Sequence, residues 1–196
     1  MIKEIYFAIF CFTLLLSCSN EEKLTKDEEE KYLYEGAEIV VESYNTLKDH
    51  LIAKMEKESI AEAIKYCNLK ALPLLDSLSK EYNAEIRRTS LKIRNPKNRP
   101  LDYEEDVLEE YAEKHKNGEK LPPLMKKFKN GTIVFYVPII IENPICLNCH
   151  GPRKIMITEP NDKIIDSLYP TDEAINYNIG DFRGMWSVRF KLDKPK

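Results

Sequence analysis

The chain has 196 residues, which suits one domain large enough to bury a core. Charged residues make up 32% of it and the formal net charge is -3. That balance excludes the basic surface that nucleic acid or an anionic membrane face selects, so nucleic acid is not an expected partner. No glycine-rich phosphate loop, Ser/His/Asp constellation, low-complexity tract or internal repeat stands out.

The N-terminus reads as an address. Lys3 precedes the apolar run Ile5 to Leu16, "IYFAIFCFTLLL", which is too short to span a bilayer comfortably and suits the h-region of a signal peptide. Leu15 to Cys18, "LLSC", resembles the bacterial lipobox, whose cysteine takes a lipid and becomes the first residue after cleavage. A buried helix or a simple anchor is the alternative. Cys18 stands where the apolar run gives way to the polar tract "SNEEKLTKDEEEK", and that position favours lipidation. The expected organisation is a lipoprotein signal peptide over 1–17, a polar tether over 18–32 and a folded domain over 33–196. It places the domain outside the cytoplasm, in the periplasm or at the cell surface, held to a membrane by lipid. Three of the five cysteines then remain in the folded part, Cys67, Cys146 and Cys149. An odd count in an exported protein asks for a use other than a single disulfide.

Apolar positions Leu33, Ala37, Val40, Tyr44, Leu47, Leu51 and Met55 form one stripe of a long first helix. Ser59 reads as the N-cap of a second helix that turns Ile60, Ala63, Ile64 and Cys67 inward. Pro73 is expected to bend or interrupt it, with a further helical piece ending near Asn83. Ala84 to Ile93 reads as a strand with Ile86, Arg88, Ser90 and Lys92 on one face. Asp102 is placed to cap a helix through Val107, Leu108 and Tyr111, and Lys129-Asn130-Gly131 reads as a hairpin turn. Thr132 to Ile141, rich in β-branched and aromatic residues, is the clearest strand. Asn161 to Leu168 is a short helix stopped by Tyr169-Pro170, and "GDFRG" turns into a last strand from Met185 to Leu192. Long helices first and strands later predict an α+β domain.

Between the clearest strand and the short helix lies Cys146-Leu147-Asn148-Cys149-His150. C-x-x-C-H is the attachment signature of c-type haem: the cysteines add across the two vinyl groups and the next histidine reaches the iron. A structural zinc site takes four protein ligands, and beyond this cluster the mature chain offers only Cys67, His50 and His115. A redox dithiol opens a helix near a βαβ unit, whereas here Gly151-Pro152 cuts off any helix after the motif. A plain disulfide with an incidental histidine is the remaining alternative. One covalent haem c is the reading these features favour. For the second axial position the candidates are His50, His115, Met55, Met125, Met156, Met185 and Cys67. The residues alone rank Cys67 first, because it shares the inward face of its helix, and a methionine second.

Several blocks carry a resemblance. They are "AIKYCNLKALP" from Ala63, "IRRTSLKIRNPKNRP" from Ile86 followed by "EEDVLEEY", "FYVPIIIENPICLNCHG" from Phe135, and "SLYPTDEAINYNIGDFRGMWSVRF" from Ser167. In this order, over roughly Ala37 to Leu192, they resemble the single-haem PAS-like sensor-domain family of bacterial exported and membrane-attached proteins. The resemblance implies a PAS-like α+β fold, long N-terminal helices followed by a small antiparallel sheet enclosing one haem. It implies His150 as the proximal ligand and Cys67, in "KYCNLKA", as the axial cysteine. No kinase or cyclase output segment is read in this chain.

Thiolate ligation favours ferric iron and a low potential. On reduction Cys67 is expected to leave with a proton and open a position for NO or CO. Arg87, Arg88 and Arg94 are candidates to pair with the two haem propionates, against the alternative of a solvated strand face. Trp186, Val188 and Phe190 alternate as core or as a pocket wall. The expected function is a redox or gas sensor, with a small electron-transfer cytochrome serving a redox partner protein as the alternative. An enzyme is not expected, since no acid/base pair accompanies the motif.

Overall fold

The computed structural model describes residues 21–191 of the chain. The expected signal peptide and Cys18 lie outside the described residues. The elements run β1 (Glu21–Glu22), α1 (Lys26–Lys57), α2 (Ile60–Glu81), β2 (Ala84–Thr89), α3 (Asp102–Lys116), β3 (Leu124–Phe128), β4 (Ile133–Ile140), α4 (Leu147–His150), α5 (Glu159–Leu168) and β5 (Phe182–Phe190). The strands form one antiparallel sheet in the order β1-β3-β4-β5-β2, which is the expected α+β class.

The sheet is covered on both faces, and β4 shows why its sequence is apolar throughout. Ile133 and Phe135 pack with Ile39 and Val40 of α1, Leu75 and Leu78 of α2, and Trp186, Val188 and Phe190 of β5. Val134 and Tyr136, on the opposite face, pack with Val107, Leu108 and Tyr111 of α3 and with Met185. A strand buried on both sides reads as a continuous apolar run rather than an alternation. The pocket-wall alternative for Trp186, Val188 and Phe190 thus gives way to core packing.

Several expectations shift. Residues 21–32, read as tether, carry β1 and the start of α1. Thr25 caps α1 reciprocally with Glu28, and Lys127 of β3 binds Glu28 at 2.8 Å, which ties this segment to the sheet. The buried stripe of α1 is Gly36, Ile39, Val40 and Ser43, while Leu33, Val41 and Tyr44 are exposed. The helix approaches β4 so closely that a Cβ on Gly36 would lie 2.4 Å from Phe135 Cδ1. Small residues mark the contact, and hydropathy does not register them. α2 runs unbroken through Pro73, which sits on an exposed face where water can take the carbonyl left without its partner. β2 ends at Thr89 rather than Ile93, because Ser90 turns to donate its hydroxyl to the Arg183 carbonyl at 2.6 Å. β5 begins at Phe182 and ends at Phe190, earlier at both ends than read. At α3 the residue expected to cap is the first helical one. Glu104 accepts the Leu101 N–H at 2.9 Å in its place.

β2 is an edge strand. The Ile86 N–H donates to Ser79 Oγ of α2 at 3.0 Å, so that donor is satisfied by a side chain.

Gly36→Ala should lower stability by about 1–3 kcal/mol through overpacking against Phe135. This is expected despite a gain of about 1 kcal/mol in helix propensity. Urea unfolding of the two proteins checks it, and an unchanged or higher midpoint would mean that Phe135 can move aside.

Candidate functional site

Both β2 and β4 run antiparallel to β5, so their C-terminal ends meet at the start of β5. The chain leaving β4 enters the motif there. Asn143 accepts the Ile145 N–H at 2.9 Å and caps a 3-10 turn over Pro144–Cys146, and α4 follows for one turn. α4 stops at His150, as Gly151-Pro152 predicts. A Cβ on Gly151 would lie 2.7 Å from both the Leu147 carbonyl oxygen and Met156 Cβ, so glycine is required for the close turn. Leu147 packs with Ile141, Ala174, Tyr177 and Cys146. Cys149 packs into a second cluster with Ile64 of α2, Ile165 of α5, Ile157 and Tyr169. Thus α2, the motif and the 169–181 loop enclose one region at the end of the sheet.

His150 is oriented by its backbone neighbour across this region. Its Nδ1 lies 2.8 Å from the Ala174 carbonyl oxygen. A carbonyl only accepts, so Nδ1 carries the proton and Nε2 keeps its lone pair free. Burial, then the charges of Arg183 and Arg94, hold the imidazole well below its ordinary pKa, with the Ala174 bond opposing them. His150 is therefore neutral at neutral pH, the state in which it can ligate a metal.

Cys67, Cys146 and Cys149 are all free thiols and half-buried. Burial raises Cys149 to about 11, with Arg94 opposing and Cys67 and Cys146 adding to the rise. Cys67 is raised by burial and lowered by Arg88 and Arg94. The charges of one site act on both thiols, so α2 brings Cys67 into the same region as the motif. The described residues contain no group of three or more His, Cys, Asp or Glu side chains placed to hold a metal ion. A four-ligand zinc centre lacks its donor set there. Two free thiols, one imidazole with Nε2 available and one further thiol fit a covalently attached haem with two axial donors.

Of the other axial candidates, both histidines, Met125 and Met185 are engaged elsewhere. His50 Nδ1 bonds Tyr66 Oη at 3.0 Å, and His115 Nε2 lies 2.8 Å from the Gly180 carbonyl oxygen. Met185 and Met125 pack in the two cores flanking the sheet. Met156 stays beside Gly151.

A family model described as Tll0287-like matches residues 26–191. The chain belongs to the Tll0287-like family. Among solved structures, that of the cyanobacterial heme-protein Tll0287 is similar with a TM-score of 0.60 at 20% identity. The likeness covers 88% of this chain and 100% of that one. At that identity it shows a shared fold. A search of curated proteins finds no match.

Within this Tll0287-like domain, the three arginines expected at the propionates part company. Arg87 points away: its Nε donates to Glu104 at 3.3 Å and its Nη2 to the Arg99 carbonyl at 2.7 Å. The strand's alternation puts it on the face opposite Arg88. Arg94 is spent within the protein, on Asp172 at 2.9 Å, the Ala174 carbonyl at 3.2 Å and the Cys149 carbonyl. Arg88 differs from both. Its Nε is buried without a hydrogen-bond partner, and its guanidinium lies 5.5 Å from the Trp186 ring centre. Burial lowers its pKa, Cys67 opposes and Arg183 adds to the fall.

Arg183 is the residue the sequence reading missed, having taken "GDFRG" as a turn. Burial lowers its pKa as well, and its guanidinium sits 5.4 Å from the Tyr177 ring centre. Arg88 and Arg183 are two half-buried cations with no salt bridge to a carboxylate among the described residues, although Arg183 Nη1 donates to the Lys92 carbonyl at 3.1 Å. The available signal was positional: Arg183 stands at the entry to the strand whose next residues form the pocket end. Asp172, two residues beyond the Tyr169-Pro170 helix stop, was missed as well.

Gly184 joins the ends of β2 and β5 at this site. Its φ is +152° and a Cβ would lie 2.3 Å from the Thr89 carbonyl oxygen. Gly184→Ala should cost about 2 kcal/mol or more in stability. Thermal unfolding measures this, and a melting temperature equal to wild type would show that the strand ends tolerate separation.

Proposed function

We propose that this chain is a lipid-anchored, extracytoplasmic c-type haem protein that acts as a redox or NO/CO sensor. Cys146 and Cys149 are the attachment points, and His150 and Cys67 the axial donors. The observation that carries this reading is the state of His150 within C-x-x-C-H: neutral, proton fixed on Nδ1 by Ala174, Nε2 free. Membership of a family whose solved relative is described as a heme-protein supports it. The lipid anchor rests on the "LLSC" segment alone.

A bound haem supplies one-electron chemistry and an axial position for small ligands. The chain's residues do the rest. Ala174 keeps His150 in one tautomer and orientation. Arg88 and Arg183 offer two half-buried cations without carboxylate partners for the two propionates, in place of Arg87 and Arg94. Cys67, half-buried and ordinarily protonated as a free thiol, is the donor that can leave with a proton on reduction. That departure would couple redox state to binding of NO or CO.

Expression with c-type haem maturation, followed by mass and absorption spectra, tests the reading. One covalent haem, a ferric low-spin thiolate spectrum and CO uptake on reduction are expected. Cys67→Ala should abolish the thiolate features; an unchanged spectrum would return Met156 or a histidine to the sixth position. A thiolate spectrum that persists in reduced, CO-treated protein would make an electron carrier the better reading. A mass without haem would end it.

Arg88→Met should have opposite effects on the two forms. In haem-free protein it removes a half-buried cation whose Nε lacks a partner and should stabilise by about 1 kcal/mol. In haem-loaded protein it removes a propionate partner and should destabilise. Destabilisation of both forms in urea would show that Arg88 serves the fold and not the pocket.

A further inference from the structure

We infer that Arg94 is a positioning residue that tunes His150 by competing with it for one acceptor, the Ala174 carbonyl; the inference rests on the haem reading above. That oxygen receives two donors, His150 Nδ1 at 2.8 Å and Arg94 Nη2 at 3.2 Å. The same Nη2 also donates to Asp172 and to the carbonyl of Cys149, the residue before His150, so one of its two N–H groups is shared between acceptors. It therefore bridges the motif and the acceptor to which the motif's histidine is tied.

Asp172 makes this arrangement rigid. Its carboxylate takes Arg94 from two sides, Nε at 3.2 Å and Nη2 at 2.9 Å. Its Oδ1 also accepts the Ala174 N–H at 2.9 Å. One carboxylate thus fixes both the competing cation and the residue whose carbonyl is contested. Asp172 is fully buried and Arg94 nearly so, which keeps water from substituting for either partner.

Hydrogen bonds in such a low-dielectric site polarise one another. A carbonyl already engaged by a cation has less lone-pair density for a second donor. Arg94 therefore weakens the pull of Ala174 on the Nδ1 proton and reduces the electron density His150 can pass to a metal through Nε2. The usual outer partner of a ligating histidine raises its basicity. Here that partner is present but restrained.

Lysine keeps the charge of Arg94 but not its planar fork, and one ammonium cannot serve Asp172 and both carbonyls in the same plane. In matured Arg94→Lys, Asp172 keeps Ala174 in place and the carbonyl is left to His150. The Nδ1 proton resonance of His150 should move downfield, and the midpoint potential should fall. The resonance is read in the ferrous form saturated with CO, which is diamagnetic. In Asp172→Asn, Arg94 is released toward the carbonyl and the proton should move upfield.

Mere loosening of the site predicts the same upfield direction in both variants, so opposite signs are the signature. Glu104→Gln, which disturbs the remote Arg87 pair, should leave the resonance unmoved. Haem-loaded Arg94→Lys with an unshifted or upfield proton overturns the inference and leaves the haem reading intact. Should Arg94→Lys not mature, an unshifted or downfield proton in Asp172→Asn does the same. A mass without haem in wild type overturns both.

Discussion

The pairing of Asp172 with Arg94 is the constraint on which the motif's geometry depends. The loop from Tyr169 to Asp181 has no regular secondary structure, so its placement rests on individual bonds. Asp172 N–H donates to Tyr169, Glu173 N–H to Ile93, Asn176 N–H to Gly151 and Tyr177 N–H to His150, each to a backbone carbonyl. These join the loop to the segment after β2 and to the motif. The ion pair sits at their centre. Burying two charges is costly unless they are paired and hydrogen-bonded. Here Asp172 is met by Arg94 and the Ala174 N–H, and Arg94 by Asp172 and the carbonyls of Cys149 and Ala174.

The sequence disclosed the parts of this site whose chemistry is local. C-x-x-C-H is legible because its two thiols and its imidazole lie within five residues of one another. Gly151-Pro152 marked the end of α4 for an equally local reason. The face of α2 carrying Ala63, Ile64 and Cys67 followed from helical periodicity. Charge partners were another matter. Arg87, Arg88 and Arg94 look alike in sequence, and only tertiary packing assigns Glu104 to the first, Asp172 to the third and no carboxylate to the second. The strand alternation already separated Arg87 from Arg88, a clue that grouping them as one basic tract overrode. Arg183 was hidden in a segment read as a turn and Asp172 just past a helix stop, where backbone demands explain the composition well enough to end the search.

The first helix shows a different limit. Its apolar side chains suggested one buried stripe, and the observed stripe lies beside it through Gly36 and Ser43. Periodicity scores what a side chain prefers, whereas packing is decided by the room left between backbones. The aromatic ring of Phe135 fills the space that Gly36 vacates. Tyr32 is then left to close the end of the contact against Phe190, with ring centres 4.6 Å apart. Strands were easier than helix faces in this chain because β4 has no wrong side to choose.

The hydroxyl of Ser79 on the free edge of β2 has a consequence for how these molecules meet one another. An exposed edge offers its unpaired N–H and carbonyl groups to any passing strand, and a sheet left open in this way can grow from one molecule into the next. Ser79 occupies the Ile86 donor from within the same molecule. Beyond it, Thr89 and Arg87 reach out to the carbonyls of Asn98 and Arg99, drawing that segment across the end of the strand. That donor and that end of the strand are thereby unavailable to the sheet edge of a second copy.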